Sequence, residues 1–318
     1  MSFFPAILAA LAPPFLLILL GFGLKRAGVL HPAHVPILNG LVLKVTLPAL
    51  ILLGLLRAPA LSPSLALAPL ALLGAECAAL ALAYGLGRAL RLPGPLLGAA
   101  LLVGVFGNTG FIGYPLTLAL LPKQFPTAIL LDQFGMTVPM YFLAALVGAQ
   151  YGGGGAARGE AIRRFLRSPM FLSALLGLGL RLVPIPPAVA ALPAARAVVG
   201  VLGKCLEYVG QGTTPLVLLA LGVALRPGAV RGRTAPLALA CATKLLVTPL
   251  AMWGLCRLMG ITADVRADCV LAAAMPTAVV ASVLCGQNDL EGDFAVGVVF
   301  VSTVLSALTA PLLLAWLR

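Results

Sequence analysis

The chain has 318 residues, 61% of them hydrophobic and only 9% charged, with a mean hydropathy of +1.11. A soluble protein of this length has no way to hide so much apolar surface, so the composition is that of a polytopic helical membrane protein. The net charge of +12 does not point to nucleic acid, because Lys and Arg sit singly or in twos and threes between apolar runs and form no basic face with aromatic platforms.

A bilayer crossing needs about 20 apolar residues. That ruler predicts an all-α membrane protein of ten spans: 3–24, 35–56, 65–87, 94–121, 126–149, 169–183, 197–225, 235–257, 266–287 and 293–317. Span 1 is long enough to cross and lacks a basic leading segment, so it reads as a helix and not as a cleavable signal. His31 and His34 follow in a short Pro-flanked loop without carboxylate or Cys company, so no metal site is expected there, and no cofactor elsewhere. In span 2, Lys44 is expected to snorkel to the cytoplasmic edge.

Span 3 carries Glu76, about ten residues into the run, or about 15 Å deep at the helical rise. An ionisable group at that depth costs about 2.5–3.5 kcal/mol on insertion scales and invites a functional reading. Either Lys244, at the matching depth of span 8, neutralises it, or Glu76 carries a coupling proton. Span 4 is interrupted near its middle by Gly107, Asn108, Thr109, Gly110, Gly113 and Pro115. Hydrocarbon offers no water to freed N–H and C=O groups, so a break there must face protein or a wet cavity. Freed amides, the positive end of a half-helix and an Asn side chain are the parts of an anion site. In span 5, Asp132 and Gln133 either bound that cavity or serve as interhelical hydrogen-bonding groups.

The stretch 150–168 is the polar linker of the chain, with Gly152–Gly155 followed by Arg158, Arg163, Arg164 and Arg167. It separates a first set of five spans (1–149) from a second (169–318). Gln211, Thr213 and Thr214 precede Pro215 in span 7 and face the expected site. Span 9 breaks at Ala274-Met275-Pro276-Thr277-Ala278, where a mid-span Pro removes a helical hydrogen bond. Asn288, Asp289, Glu291 and Asp293 are expected to cap span 10 and supply its first-turn acids. The six cysteines lack paired spacing and read as small helix-packing residues.

Landmarks in the two halves share near-constant offsets. Pro48 and Pro215 are 167 apart, as are Pro69 and Pro236; Arg57 and Arg226, Arg88 and Arg257, and Gly107 and Pro276 are each 169 apart. With five spans per unit, the second copy enters the membrane from the opposite side. The result is an inverted repeat with spans 4 and 9 broken and crossing at the midplane, so that both half-helix N-termini address one small volume. Eleven Lys/Arg fall in loops after odd-numbered spans and seven on the other side, which places the 150–168 linker in the cytoplasm and both termini outside.

The segment G-N-T-G-F-I-G-Y-P-L (107–116) resembles the span-4 motif of the auxin efflux carrier family, and A-M-P-T-A-V-V-A (274–281) its span-9 crossover. Supporting pieces are T-L-P (46–48), L-L-D-Q-F-G (130–135), R-S-P (167–169), T-P-L-V-L-L-A-L-G-V-A-L (214–225) and K-L-L-V-T-P (244–249). The resemblance implies a bile-acid-transporter-like fold with a scaffold of spans 1, 2, 6 and 7, a transport domain of the rest, elevator movement of organic anions, and a homodimer through the scaffold. Plant members place Pro where this chain has Gly107, keep an acid–lysine pair in early span 3 that 61–68 lacks, and have a far longer cytoplasmic loop. Auxin itself is therefore not the expected substrate.

The expected function is secondary transport of small carboxylates, auxin-like or malonate-like, across a bacterial-type inner membrane. Asn108 and Thr109 bind substrate with help from amides after Gly107 and Pro276, and Thr277 contributes from the opposite break; Gln133 and Gln211 border the site, while Gly110, Gly113, Pro115 and Met275 shape it. A proton or charge relay falls to Glu76, Asp132 and Lys244. The rivals are a sodium- or proton-coupled exchanger or bile-acid-type symporter on the same fold, and a non-transporting sensor. An exchanger wants facing acids at the breaks, and none of 105–117 or 272–284 is acidic. An intramembrane enzyme is not expected, because no catalytic dyad spacing occurs within the spans.

Overall fold

A computed structural model describes residues 3–58, 63–152, 162–163, 165–183, 192–225 and 233–316, with side chains omitted at 3–11 and 195. Most of the predicted 150–168 linker lies outside the described residues. We label the helices α1 (Phe3–Arg26), α2 (Pro32–Leu56), α3 (Pro63–Ala89), α4 (Gly94–Val105), α5 (Thr109–Leu120), α6 (Pro122–Tyr151), α7 (Pro169–Leu182), α8 (Pro193–Gln211), α9 (Thr213–Ala224), α10 (Thr234–Leu258), α11 (Ala263–Ala273), α12 (Val279–Gln287) and α13 (Gly292–Trp316). The described residues form helices and no strand, and α2, α3, α6, α10 and α13 are long and apolar enough to cross a bilayer.

Proline writes much of this pattern. It opens α3, α6, α7 and α8 at the first helical turn, where its missing N–H costs nothing. Ser168 adds a cap to α7 by accepting from the Phe171 amide at 3.3 Å. Within the longer helices Pro acts differently. The backbone widens to π-turns at Val42–Thr46, Thr109–Gly113, Leu131–Thr137 and Thr243–Val247, and each is followed two residues later by Pro48, Pro115, Pro139 or Pro249. The ring would clash with the carbonyl a turn earlier, and the extra residue relieves that clash. These wide turns carry Lys44, Thr109, Asp132, Gln133 and Lys244, which places polar side chains where the regular helical hydrogen-bond ladder is already disturbed.

The chain divides into two compact units. One comprises residues 17–60 and 165–224, hence the second part of α1 with α2, α7, α8 and α9. In it α2 packs on α7 and α8, and Arg181 of α7 donates to the Leu55 carbonyl at 3.0 Å and to the Ala58 carbonyl. The single span expected over 197–225 is two helices here. The chain turns out of α8 at Gly212, whose amide donates to the Val209 carbonyl at 3.2 Å.

The other unit comprises residues 1–16, 61–164 and 225–318. Its core runs along α3, where Ala68, Ala71, Leu72, Ala75, Ala79 and Ala83 form a buried stripe at helical spacing. Small side chains let α3 approach α10 and α4 closely, the packing mode that replaces the hydrophobic effect inside lipid. Beyond α12, Asn288 does not cap α13. Its side chain donates to the Leu284 carbonyl at 2.8 Å and so finishes α12, while Glu291 pairs with Arg233 at 2.8 Å and Asp293 supplies the first-turn acid of α13.

Candidate functional site

The interruptions in the fourth and ninth apolar runs are both real breaks. After α4 the chain is extended at Phe106, and before α12 it is extended at Ala278. The two extended pieces pair antiparallel, Gly107 opposite Thr277. The Asn108 amide donates to the Pro276 carbonyl at 2.7 Å, and the Ala278 amide to the Phe106 carbonyl at 3.0 Å. Backbone groups freed by breaking each helix thus satisfy those of the other.

Antiparallel pairing has a geometric consequence. The start of α5 abuts the end of α11, and the start of α12 abuts the end of α4. Each junction joins a positive helix end to a negative one. At the α5/α11 junction the protein supplies an ionisable side chain suited to each end. Lys244, fully buried, donates from Nζ to the Ala273 carbonyl at 2.6 Å and so caps the negative end of α11. The Asp132 carboxylate lies against Gly110 at the positive end of α5. At the α12/α4 junction the partners are neutral: Thr277 donates its amide to Ser302 Oγ at 3.1 Å and its hydroxyl to the Val103 carbonyl at 2.7 Å.

Asp132 is buried and accepts three hydrogen bonds, from Thr109 Oγ1 at 2.5 Å, Gln133 Nε2 at 2.7 Å and the Tyr114 hydroxyl at 3.0 Å. The Thr109 hydroxyl proton is therefore directed at Asp132 and not at a ligand. Asn108 caps α5 by accepting from the Phe111 amide at 3.2 Å. Its Nδ2 is buried without a partner, as is Gln133 Oε1. The amides expected to be free after Gly107 and Pro276 are engaged, by Pro276 and Ser302. Thr109 and Gly110 open α5, where first-turn amides have no intrahelical acceptor.

Gly107 is closely packed by side-chain ends. Its amide donates to Met136 Sδ at 3.1 Å, and a Cβ there would stand 2.8 Å from Lys244 Cε and 3.2 Å from Nζ. Gly113 packs toward Met275, and Pro115 lies in the buried first turn after it. Because shifting the end of Lys244 disturbs its bond to the Ala273 carbonyl, Gly107→Ala is expected to lower the thermal unfolding temperature in detergent, and Gly107→Val to lower it further. A melt unchanged in both variants would show that the space is not as tight as drawn.

Glu76 is buried and neither of its carboxylate oxygens has a hydrogen-bond partner. Lys244 is within electrostatic reach, but no direct ion pair joins the two. Gln211 ends α8 in the other unit, where it is exposed. Lys44 is exposed as well. Four contributors escape the sequence reading. Tyr114 lies in the 107–116 motif without a role, Ser302 and Met136 look like packing residues, and Asp268 sits two residues inside the ninth run, which the span ruler treats as its edge. The rule that singles out Glu76, an acid within an apolar run, applies equally to Asp268.

Helices of this apolarity, five of them long enough to cross, make the chain a multi-pass membrane protein. The chain belongs to the membrane transport protein family, whose model matches residues 6–151 and 157–314, and the resemblance to auxin efflux carriers read from the two broken-helix motifs holds. It is 29% identical to an "uncharacterized transporter" of Methanothermobacter thermautotrophicus, over 93% of both chains. It is 27% identical to another of that description from Methanocaldococcus jannaschii, over 93% of this chain and 94% of the other. A Rhizobium meliloti protein described as a "putative malonate transporter" is 27% identical, over 96% of this chain and 94% of its own.

Proposed function

We propose that the chain is a secondary transporter of small carboxylates, malonate-sized, built as two inverted five-helix repeats with ten spans. The observation that carries the reading is the bonded pair of breaks at 106–108 and 276–278, beside which Asn108 Nδ2 is unbonded and the first-turn amides of α5 have no intrahelical acceptor. Those are donors, and a carboxylate is the ligand that satisfies donors held at a positive helix end. Gln133 Oε1 adds an acceptor suited to a hydroxyl or protonated carboxyl on the same substrate. The malonate in the name of the Rhizobium relative supports a short dicarboxylate.

The division of the chain supports an elevator. The unit holding α2, α7, α8 and α9 contains spans 2, 6 and 7 of the assigned scaffold and the second part of span 1, and the other unit holds both breaks. In this reading the scaffold also forms a homodimer, the linker faces the cytoplasm and both termini lie outside a bacterial-type inner membrane. A cation exchanger on this fold is disfavoured at Asp132, whose oxygens are taken by three protein donors instead of standing open to an ion.

Labelled malonate in proteoliposomes tests the proposal. Uptake is expected to saturate and to be competed by other short carboxylates but not by inorganic cations. A purified, folded protein that moves no member of a carboxylate panel would overturn it and leave a sensor role standing.

A further inference from the structure

Asp268 lies on α11, fully buried. Its Oδ1 accepts from Thr117 Oγ1 of α5 at 2.8 Å, and its Oδ2 has no partner. This contact ties an element of the first half of the chain to one of the second, more than two helical turns beyond the paired breaks. A carboxylate in so dry a place with a single hydroxyl donor is far short of the hydrogen bonds it would have in water. The contrast with Asp132, which has three donors, is internal to the same unit.

The charged and titratable groups on the elements packed against α11 do not make up the deficit. Tyr114 on α5 is within electrostatic reach, but its hydroxyl is given to Asp132. Glu76 on α3, Lys123 and Asp132 on α6, Lys244, Cys256 and Arg257 on α10, and Asp293 on α13 make no hydrogen bond or ion pair with Asp268. On α11 itself Arg266 donates to the Ile261 carbonyl and Cys269 is the following residue.

Water comes close from one direction. A cavity of about 450 Å³, its rim exposed, lies between the α5–α6 connection and the start of α11, lined by Lys123, Gln124, Asp264, Arg266 and Ala267 among others. Ala267 immediately precedes Asp268, and Asp264 stands four residues earlier on the same helix face. On α5, Thr117 stands four residues before Leu121, another lining residue. Asp268 and Thr117 do not line the cavity themselves, but each stands within about one helical turn of residues that do.

We propose that Asp268 carries the coupling proton of this transporter, received at Oδ2 from water in the cavity. One proton leaves hydronium, an O–H bond forms at Oδ2, and the side chain crosses as a neutral acid with Thr117 still bonded to Oδ1. On the other side the same O–H bond breaks and the proton returns to water. Nothing is oxidised or reduced, and one proton crosses per cycle. The proposal rests on the transport reading above. It differs from assigning the proton to Glu76, which has the Lys244 ammonium within electrostatic reach to balance its charge, whereas Asp268 has no cation bonded to it.

The test uses the full chain in proteoliposomes with labelled malonate. With the cavity side acidic, wild type is expected to accumulate malonate above equilibrium. Asp268→Asn is expected to reach equilibrium only, while still exchanging external for internal malonate, and Thr117→Val to shift the pH at which accumulation is half-maximal. Accumulation by Asp268→Asn equal to wild type overturns the proposal. So does loss of accumulation in Glu76→Gln when Asp268→Asn retains it. A second measurement needs no substrate: infrared difference spectra between acidic and alkaline buffer are expected to show a protonated-carboxyl band that Asp268→Asn removes. If wild type moves no malonate, the transport reading fails alone, and an unchanged band in Asp268→Asn then sinks the proton assignment separately.

Discussion

Replacing Asn108 with Ala is expected to slow carboxylate transport by at least about tenfold, the equivalent of about 1.4 kcal/mol. Two effects are combined in that substitution. Asn108 Oδ1 caps α5 through the Phe111 amide, and losing a cap costs about 0.5–2 kcal/mol of stability. Its Nδ2 is buried without a partner and is the donor that the proposed site gives to substrate. Asn108→Ser separates the two, because Ser also caps well but brings no amide N–H pair. The Ser variant is expected to melt close to wild type and yet transport as poorly as Ala. Wild-type transport in Asn108→Ser would remove Nδ2 from the site, whatever its effect on folding.

The second large effect is expected at Lys244. Its ammonium holds the Ala273 carbonyl at the end of α11 and is the cation within reach of Glu76. In Lys244→Met that buried carbonyl loses its donor, at a cost of about 1–3 kcal/mol, and Glu76 loses its counter-charge. A lower unfolding temperature in detergent is the expected result. Adding Glu76→Gln to Lys244→Met should recover part of the loss, since a neutral amide has no charge left to balance. If the double variant melts no higher than Lys244→Met alone, Glu76 and Lys244 act independently.

Much of this was visible in the sequence because the bilayer punishes exceptions. Six backbone-loosening or polar residues between Gly107 and Pro115, and a Pro at 276, stand out in runs that are otherwise Leu, Ala and Val. The breaks at both places, and the family, follow from them. Partnerships are harder to read. Thr109 looks like a free hydroxyl until Asp132 is seen to take its proton, and Thr277 looks like a ligand until Val103 and Ser302 are placed beside it. Such pairings join residues about 25 to 175 positions apart, and no periodicity records them. Length is harder to read as well: 197–225 scans as one imperfect span, although Gly212, flanked by Gln211 and Thr213, divides it into two helices.

The paired breaks also bear on how the chain is made. When the first half has left the ribosome, the Asn108 amide and the Phe106 carbonyl still await partners at 276–278, more than 160 residues downstream. A nascent chain halted before that point holds two orphaned backbone groups at membrane depth, each costing several kcal/mol in hydrocarbon. The first five apolar runs are thus not a self-sufficient product of translation. A chain truncated before 276 is therefore expected to be less stable than the whole protein.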